Sequence, residues 1–246
     1  MISEELAKTP VSLLSAGFGT RLRPLTNEVP KPLIEVCGKP LIVWHLERLR
    51  DEGFQDIYVN VHYLAEKLIE YLGDGSRWGV SIKIVTEDPI LDTGGAVRNI
   101  AQMISADRLI VINSDSLFNT EFSIASVLTA HCDSKSLATL VVRHCAEVEK
   151  YGALGLASDK RIVKFLDAGS DKDVVERVMF AGVQVIERKA ISYLDQFGEV
   201  SSLTKDLYRF LVARGELLSS FMHDGYWNDV GTLERLTEAR KSFMSP

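Results

Sequence analysis

The residues best suited to chemistry near the N-terminus lie in Ser15 to Pro32, which reads SAGFGTRLRPLTNEVPKP. Gly17 and Gly19 lack Cβ atoms, so the chain can turn tightly and bring backbone N–H groups against a phosphate. Arg21 and Arg23 carry planar guanidinium groups whose fork matches phosphate oxygens. Lys31 adds a compact cation between Pro30 and Pro32, which restrict its backbone. Cations beside a glycine turn suit a polyanion such as a nucleoside triphosphate. The same glycines also read as a tight turn with solvated charges. A dinucleotide fingerprint is excluded, because Leu22 stands where the third glycine belongs. A P-loop is excluded at Gly38-Lys39, which is followed by Pro40 and has Leu33 in place of the first glycine. Further on, Arg108-Leu-Ile-Val-Ile-Asn113 is a near-continuous apolar run that predicts a buried strand, and it ends in Ser114-Asp115-Ser116. A carboxylate there faces the ligand edge of a parallel sheet. Mg²⁺ takes oxygen ligands and keeps several waters, so it needs few protein carboxylates beside phosphate oxygens. Taken alone, Asp115 reads equally as a turn residue.

These groups need a scaffold. Val11–Leu14 predicts a strand leading into the glycine loop. Pro40 to Gly53 predicts a helix, with Gly53 past its end. Asp56–Val61 and Val80–Val85 read as strands around a helix at Tyr63–Leu72 and a loop at Gly73–Arg77. Thr93-Gly94-Gly95 opens an amphipathic stretch over Ala96–Ile104. Thr93 suits its cap, and the glycines allow close approach to a ligand. This alternation argues for βαβ units and a mostly parallel sheet covered by helices on both faces. Beyond residue 135 the pattern changes to consecutive strands, at 136–143, 153–157, 161–166 and 178–186. Thr120–His131 and Asp171–Glu176 read as helical around them. The change predicts a small β-rich lobe with antiparallel pairing. A helix at Ser201–Gly215, a strand at Glu216–Met222 and a final helix at Leu233–Phe243, capped by Thr232, complete the chain.

Composition narrows the partners. The 246 residues are 46% hydrophobic, enough for a full core in one domain with an added lobe. The net charge of −6 offers no duplex-sized basic surface, so nucleic acid is not expected as a partner. No apolar run reaches the roughly 20 residues of a membrane span, so no membrane partner is expected. Met1–Pro10 reads as a short solvated leader rather than a signal. Cys37, Cys132 and Cys145 are odd in number and lack metal spacing, which fits reduced thiols in a cytoplasm. His45 and His62 have no second ligand at metal spacing and read as packed or surface residues.

The string Gly17-Phe-Gly-Thr-Arg-Leu-Arg-Pro-Leu-Thr26, followed by Pro30-Lys31-Pro32, resembles the signature of the sugar-1-phosphate nucleotidylyltransferases. Glu87 to Asn99 resembles the family's segment bordering base and sugar, and Trp227-Asn-Asp-Val-Gly-Thr232 its closing motif. The resemblance runs from the first loop to the C-terminus. It implies the nucleotide-diphospho-sugar transferase fold as a single domain over 1–246. Residues 1–135 would be the nucleotide-binding half, and 136–246 the sugar lobe and closing motif, with no appended left-handed β-helix domain. It implies nucleotide contacts from Ala16, Gly17, Gly19, Thr20, Arg21, Glu87, Thr93 and Gly94. It implies sugar-phosphate contacts from Asn113, Tyr151, Gly152, Asp167 and Gly182. Asp115 and Asp229 would hold Mg²⁺, and Arg21 and Lys31 would act on the phosphates. The substrates implied are a nucleoside triphosphate and a sugar 1-phosphate, joined to give an NDP-sugar for the cell envelope. A monomer or small homo-oligomer is expected.

Several positions depart from the family. Ser114 replaces a glycine. Phe165-Leu-Asp167-Ala168 stands where members carry Phe-x-Glu-Lys, and Phe180-Ala-Gly182 where many carry Asn-Ala-Gly. Leu72–Gly79, Asp92, Phe180–Gly182 and Trp227–Arg235 resemble the N-acetylmuramate 1-phosphate uridylyltransferase branch, which uses UTP. Tyr151-Gly152 and the Ser201–Gly215 helix resemble the mannose or heptose 1-phosphate guanylyltransferases. Other classes have less support. A sugar-transferring enzyme would show Asp-x-Asp, but Asp115-Ser-Leu117 lacks the second acid. A non-catalytic nucleotide-binding subunit would have lost one of Arg21, Lys31, Asp115 or Asp229.

Overall fold

The computed structural model describes residues 2–244. The chain is mixed α/β, with a mostly parallel central sheet and helices. Its contacts gather into two compact units, each assembled from separate stretches of chain. The first contains residues 1–90, 112–122 and 225–246, and the second 91–111 and 123–224.

In the first unit, strand Val11–Leu14 pairs in parallel with Asp56–Val61, which pairs in parallel with Ser81–Thr86. Val11, Leu13, Ile57, Val59 and Val61 are wholly buried, as a two-sided covered sheet requires. Helix Leu41–Asp51 buries Leu41, Ile42, Leu46 and Leu49, each worth about 2 kcal/mol. It ends as expected: Gly53 has φ +93° and Phe54 N–H returns to the Leu49 carbonyl at 2.8 Å. A short antiparallel pair, Ser116–Phe118 with Trp227–Asp229, joins distant stretches. Below it Leu22, Ile34, Val36, Leu41, Leu117, Val230, Leu236 and Ala239 form one apolar cluster. Helix Leu233–Met244 contributes to that cluster.

In the second unit, the long strand Glu176–Glu187 pairs antiparallel with Ala138–Arg143 and with Leu154–Leu156. Leu154–Leu156 pairs antiparallel with Ile162–Phe165. Leu218–Met222 runs parallel to Ala138–Arg143. Helices Asp92–Met103 and Ile124–Ser134 belong to this unit.

Four expectations are corrected. The N-terminal stretch is a helix, Ile2–Lys8, rather than a solvated leader; Met1 lies outside the described residues. Leu6 is buried, and the Thr9 amide and hydroxyl both return to the Glu5 carbonyl at 3.0 and 2.8 Å. Asp171–Glu176 is not helical, because Val175 N–H bonds the Leu156 carbonyl at 2.8 Å and draws the chain into the sheet. Thr93 does not cap its helix, which starts at Asp92 with Leu91 as N-cap. The Ser201–Gly215 helix also changes character, being π-helical over Leu203–Tyr208 and α-helical over Arg209–Ala213.

Candidate active site

The glycine loop leaves the sheet at Leu14 and is fixed at its base. Ser15 N–H donates to Asn60 Oδ1 at 2.8 Å. Asn60 Nδ2 donates to Glu87 Oε1 at 2.7 Å. Both residues are almost fully buried at strand ends, so each bond replaces lost water. Glu87 thus spends carboxylate capacity inside the fold, and its carbonyl lies 2.9 Å from His62 Nδ1. Gly19 sits in the left-handed region at φ +62°, and a Cβ there would meet Thr26 Cγ2 at 2.9 Å. Thr26 Oγ1 donates to the Gly19 carbonyl at 2.8 Å and closes the turn. Gly17 faces open space. Thr20–Leu22 and Lys31–Leu33 each make a short 3₁₀ turn. Ala16 is buried and Thr20 exposed.

Asp115 follows strand Arg108–Asn113, whose last residue, Asn113, is half-buried. Ser114 supplies a reason for its departure from glycine. Its hydroxyl and amide both donate to the Leu14 carbonyl, at 2.7 and 3.2 Å, and tie the acidic turn to the start of the glycine loop. His45 is buried beneath this turn, and burial beside Arg48 lowers its pKa to about 4. It is therefore a neutral packed histidine, as the sequence suggested.

Asp229 pairs across the strands with Ser116, and Val230 N–H donates to the Asp115 carbonyl at 2.9 Å. The two acids, 114 residues apart, are thus on adjoining backbone. Lys31 Nζ donates to Asp115 Oδ2 at 2.5 Å. Arg235 Nη1 donates to Asp229 Oδ1. Burial and the Asp115 charge push the Asp229 carboxyl up to about 6, while Lys31 and Arg21 pull it back. Arg21 is exposed, makes no ion pair among the described residues, and reaches Gly231, whose added Cβ would lie 3.1 Å from Arg21 Nη2. Arg21, Lys31, Asp115 and Asp229 therefore gather in the first unit, beside the glycine loop.

The remaining candidates belong to the second unit. Thr93 Oγ1 accepts from Leu203 N–H at 2.9 Å, and Gly94 N–H donates to the Ser201 carbonyl at 2.7 Å. A Cβ on Gly94 would lie 2.7 Å from that carbonyl oxygen. The close approach expected toward a ligand is here an approach between two stretches of the chain itself. Gly152 has φ +79°, and its added Cβ would meet Leu166 at 3.2 Å. Gly152, Leu154, Lys164, Leu166 and Arg177 line a cavity of about 270 Å³. Tyr151 is half-buried and Gly182 has φ +86°. Asp167 is exposed and bridged twice by Arg209, which holds its carboxyl below the usual range.

Sequence reasoning missed Asn60 and Arg235. Asn60 carried a signal, a lone amide in the apolar strand Asp56-Ile-Tyr-Val-Asn-Val61. Arg235 stood at the final helix entry with no role attached.

The chain matches the nucleotidyl transferase family over residues 11–245 and belongs to it. It is 32% identical to N-acetylmuramate alpha-1-phosphate uridylyltransferase of Neisseria meningitidis serogroup B, over 93% of this chain and 95% of that one. It is 31% identical to mannose-1-phosphate guanylyltransferase of Mycobacterium tuberculosis, over 90% of this chain but only 61% of the relative. The structure of HddC from Yersinia pseudotuberculosis complexed with GMP-PN superposes with a TM-score of 0.77 at 25% identity, over 96% of this chain and 99% of that one. Membership supports sugar-1-phosphate nucleotidyl transfer as the activity. Among the described residues, no helix is long and apolar enough to cross a membrane.

Proposed function

We propose that this protein transfers a nucleotidyl group from UTP to N-acetylmuramate 1-phosphate or a similar hexose 1-phosphate, with Mg²⁺ bound by Asp115 and Asp229. The observation that carries the chemistry is the gathering of Lys31, Asp115 and Asp229 beside an ordered glycine loop. A sugar-phosphate oxygen attacks the α-phosphorus. The bond from that phosphorus to the bridging oxygen breaks, and pyrophosphate leaves in line. Such chemistry needs positioning and charge compensation rather than a covalent nucleophile. Loop amides and Arg21 bind the β- and γ-phosphates, and Lys31 the two reacting phosphates.

The donor set fits Mg²⁺. Its side-chain ligands are hard oxygens, and the burial and mutual repulsion that raise Asp229 are what a divalent cation relieves. Among the described residues, no group of three or more His, Cys, Asp or Glu could hold a metal, so phosphate oxygens and water complete the shell. When bound, the ion supplies Lewis acidity to phosphate oxygens. Ala16, Gly17, Gly19 and Thr20 line the triphosphate side in this reading. Glu87 acts near the base through Asn60 and the loop, with Thr93 and Gly94 behind it. Asn113, Tyr151, Gly152, Asp167 and Gly182 serve the sugar phosphate.

UTP is favoured because the uridylyltransferase relative is matched almost end to end. The second reading, a GTP-dependent mannose or heptose enzyme, is favoured by the GMP-PN complex of HddC. Pyrophosphate release from four triphosphates against several sugar 1-phosphates tests both. UTP with N-acetylmuramate 1-phosphate is expected to be fastest. A faster GTP pair overturns the assignment.

A further inference from the structure

Among the described residues, Arg235 is the charged one bonded to the acid pair that the proposed chemistry does not use. Its position is built into the fold. Thr232 Oγ1 accepts its backbone N–H at 3.3 Å, which caps the helix Leu233–Met244. Its carbonyl accepts from Asn228 Nδ2 at 3.3 Å, and the Asn228 amide also approaches Glu238 Oε2 at 3.4 Å. Asn228 is 2% exposed, so the strand carrying Asp229 and the helix carrying Arg235 are pinned together below the surface. From that base the guanidinium reaches Asp229 Oδ1, with both side chains roughly three-quarters covered. The Trp227 ring, 5.8 Å from Arg235 Cζ, borders it.

Each acid already has a cation on one oxygen: Lys31 on Asp115 Oδ2 and Arg235 on Asp229 Oδ1. A divalent ion entering alone would have to compete with both cations. A triphosphate changes this. Its oxygens compete for Lys31 and Arg21 and bring the negative charge that a divalent ion then offsets.

We infer that Arg235 is a placeholder for the divalent cation, which holds the Asp229 carboxylate in the substrate-free protein and makes metal binding conditional on nucleotide. This rests on the reading of Asp229 as a metal ligand. The guanidinium must swing from Asp229 Oδ1 before the ion can coordinate there. Its rigid fork and permanent charge suit that competition better than an ammonium would.

The test is a titration of the nucleotide-free protein with Mn²⁺, following the free-ion signal by electron paramagnetic resonance. Arg235→Gln is expected to bind Mn²⁺ about tenfold tighter than the native chain, the scale of one charge-assisted hydrogen bond removed from competition. In chelator its melting temperature should fall, and Mn²⁺ should raise it more than it raises that of the native chain. Arg235→Lys keeps the charge without the fork and should lie between the two. It carries the test if the glutamine variant does not fold. Unchanged or weaker Mn²⁺ binding in whichever variant folds overturns the placeholder role. Asp229→Asn added to Arg235→Gln separates the two readings. Loss of the tighter Mn²⁺ binding in the double variant supports Asp229 as a ligand and leaves the Arg235 result to be judged alone. Mn²⁺ binding in the double variant equal to that of Arg235→Gln sinks the ligand reading, and the placeholder with it.

Discussion

The base of the glycine loop with its acidic turn, in the first unit, and Asp167, in the second, are built in opposite ways. In the first, the loop base and the acidic turn are tied down by directed bonds into covered structure, although Arg21 itself is exposed. Ser15, Asn60 and Glu87 form one buried chain, Ser114 binds the Leu14 carbonyl, and Lys31 meets Asp115 with its own side chain 13% exposed. In the second, Asp167 stands in solvent, with its side chain 67% exposed against a half-exposed Arg209. Buried polar groups are costly to leave unpaired, whereas exposed ion pairs contribute little. The first unit therefore has the build of a fixed charge template. In the second, Asp167 is a residue whose exchange costs the fold little. Of the family departures, Asp167, Ala168 and Phe180 lie in the second unit, while Ser114 lies in the first.

The sharpest way to break the comparison is to remove an acid from the template. Asp115→Ala and Asp229→Ala should each slow pyrophosphate release at least roughly a hundredfold, about 3 kcal/mol of transition-state stabilisation. A steady-state assay checks this, and near-native turnover in either variant ends the template reading. Next in size is acid stability. The folded-state pKa of His45 is lowered from 6.5 to about 4 by burial, so its neutral form stabilises the fold fully above pH 6.5. That stability is lost as pH falls toward 4, by up to about 3 kcal/mol. Urea titrations of native protein and His45→Gln across this window should diverge in slope, with only the native protein showing the acid loss from this group. Parallel curves would show that the buried histidine does not set the acid limit.

Much of this template was legible in the sequence, because its signals are local. Glycines at fixed spacing, a continuous apolar strand ending in an acid, and Gly53 past a helix each act through their own backbone. The sheet order of Val11–Leu14, Asp56–Val61 and Ser81–Thr86 follows from the βαβ rhythm. What was not legible depends on partners distant in the chain. Thr93 looks like a cap until Ser201–Leu203 takes its hydroxyl and the neighbouring glycine amides. Asp171–Glu176 looks helical until Leu156 takes the Val175 amide. Arg235 has no meaning until Asn228 holds its helix against the strand that carries Asp229.

Asn60 sharpens the comparison from the side of stability. Asn60→Ala strips the Ser15 amide and the Glu87 carboxylate of a partner in a buried setting. The cost should be about 1–3 kcal/mol in chemical denaturation. Asn60→Asp keeps the acceptor for Ser15 but sets a second carboxylate against Glu87, and should be no better. A loss below a few tenths of a kcal/mol in the alanine variant would show that the loop base is held by other contacts.

The smallest effect expected on the fold is at Asp167. Its two bonds to Arg209 lie in solvent, so water replaces them when Asp167→Asn removes the charge. The melting temperature should not move measurably. If Asp167 contacts the sugar, the KM for the sugar 1-phosphate should rise several-fold while the KM for the triphosphate stays put. A drop in kcat with both KM values unchanged would instead make Asp167 part of the charge template. The division between a buried, fixed set of charges and an exposed, exchangeable one would then fail at the residue chosen to represent it.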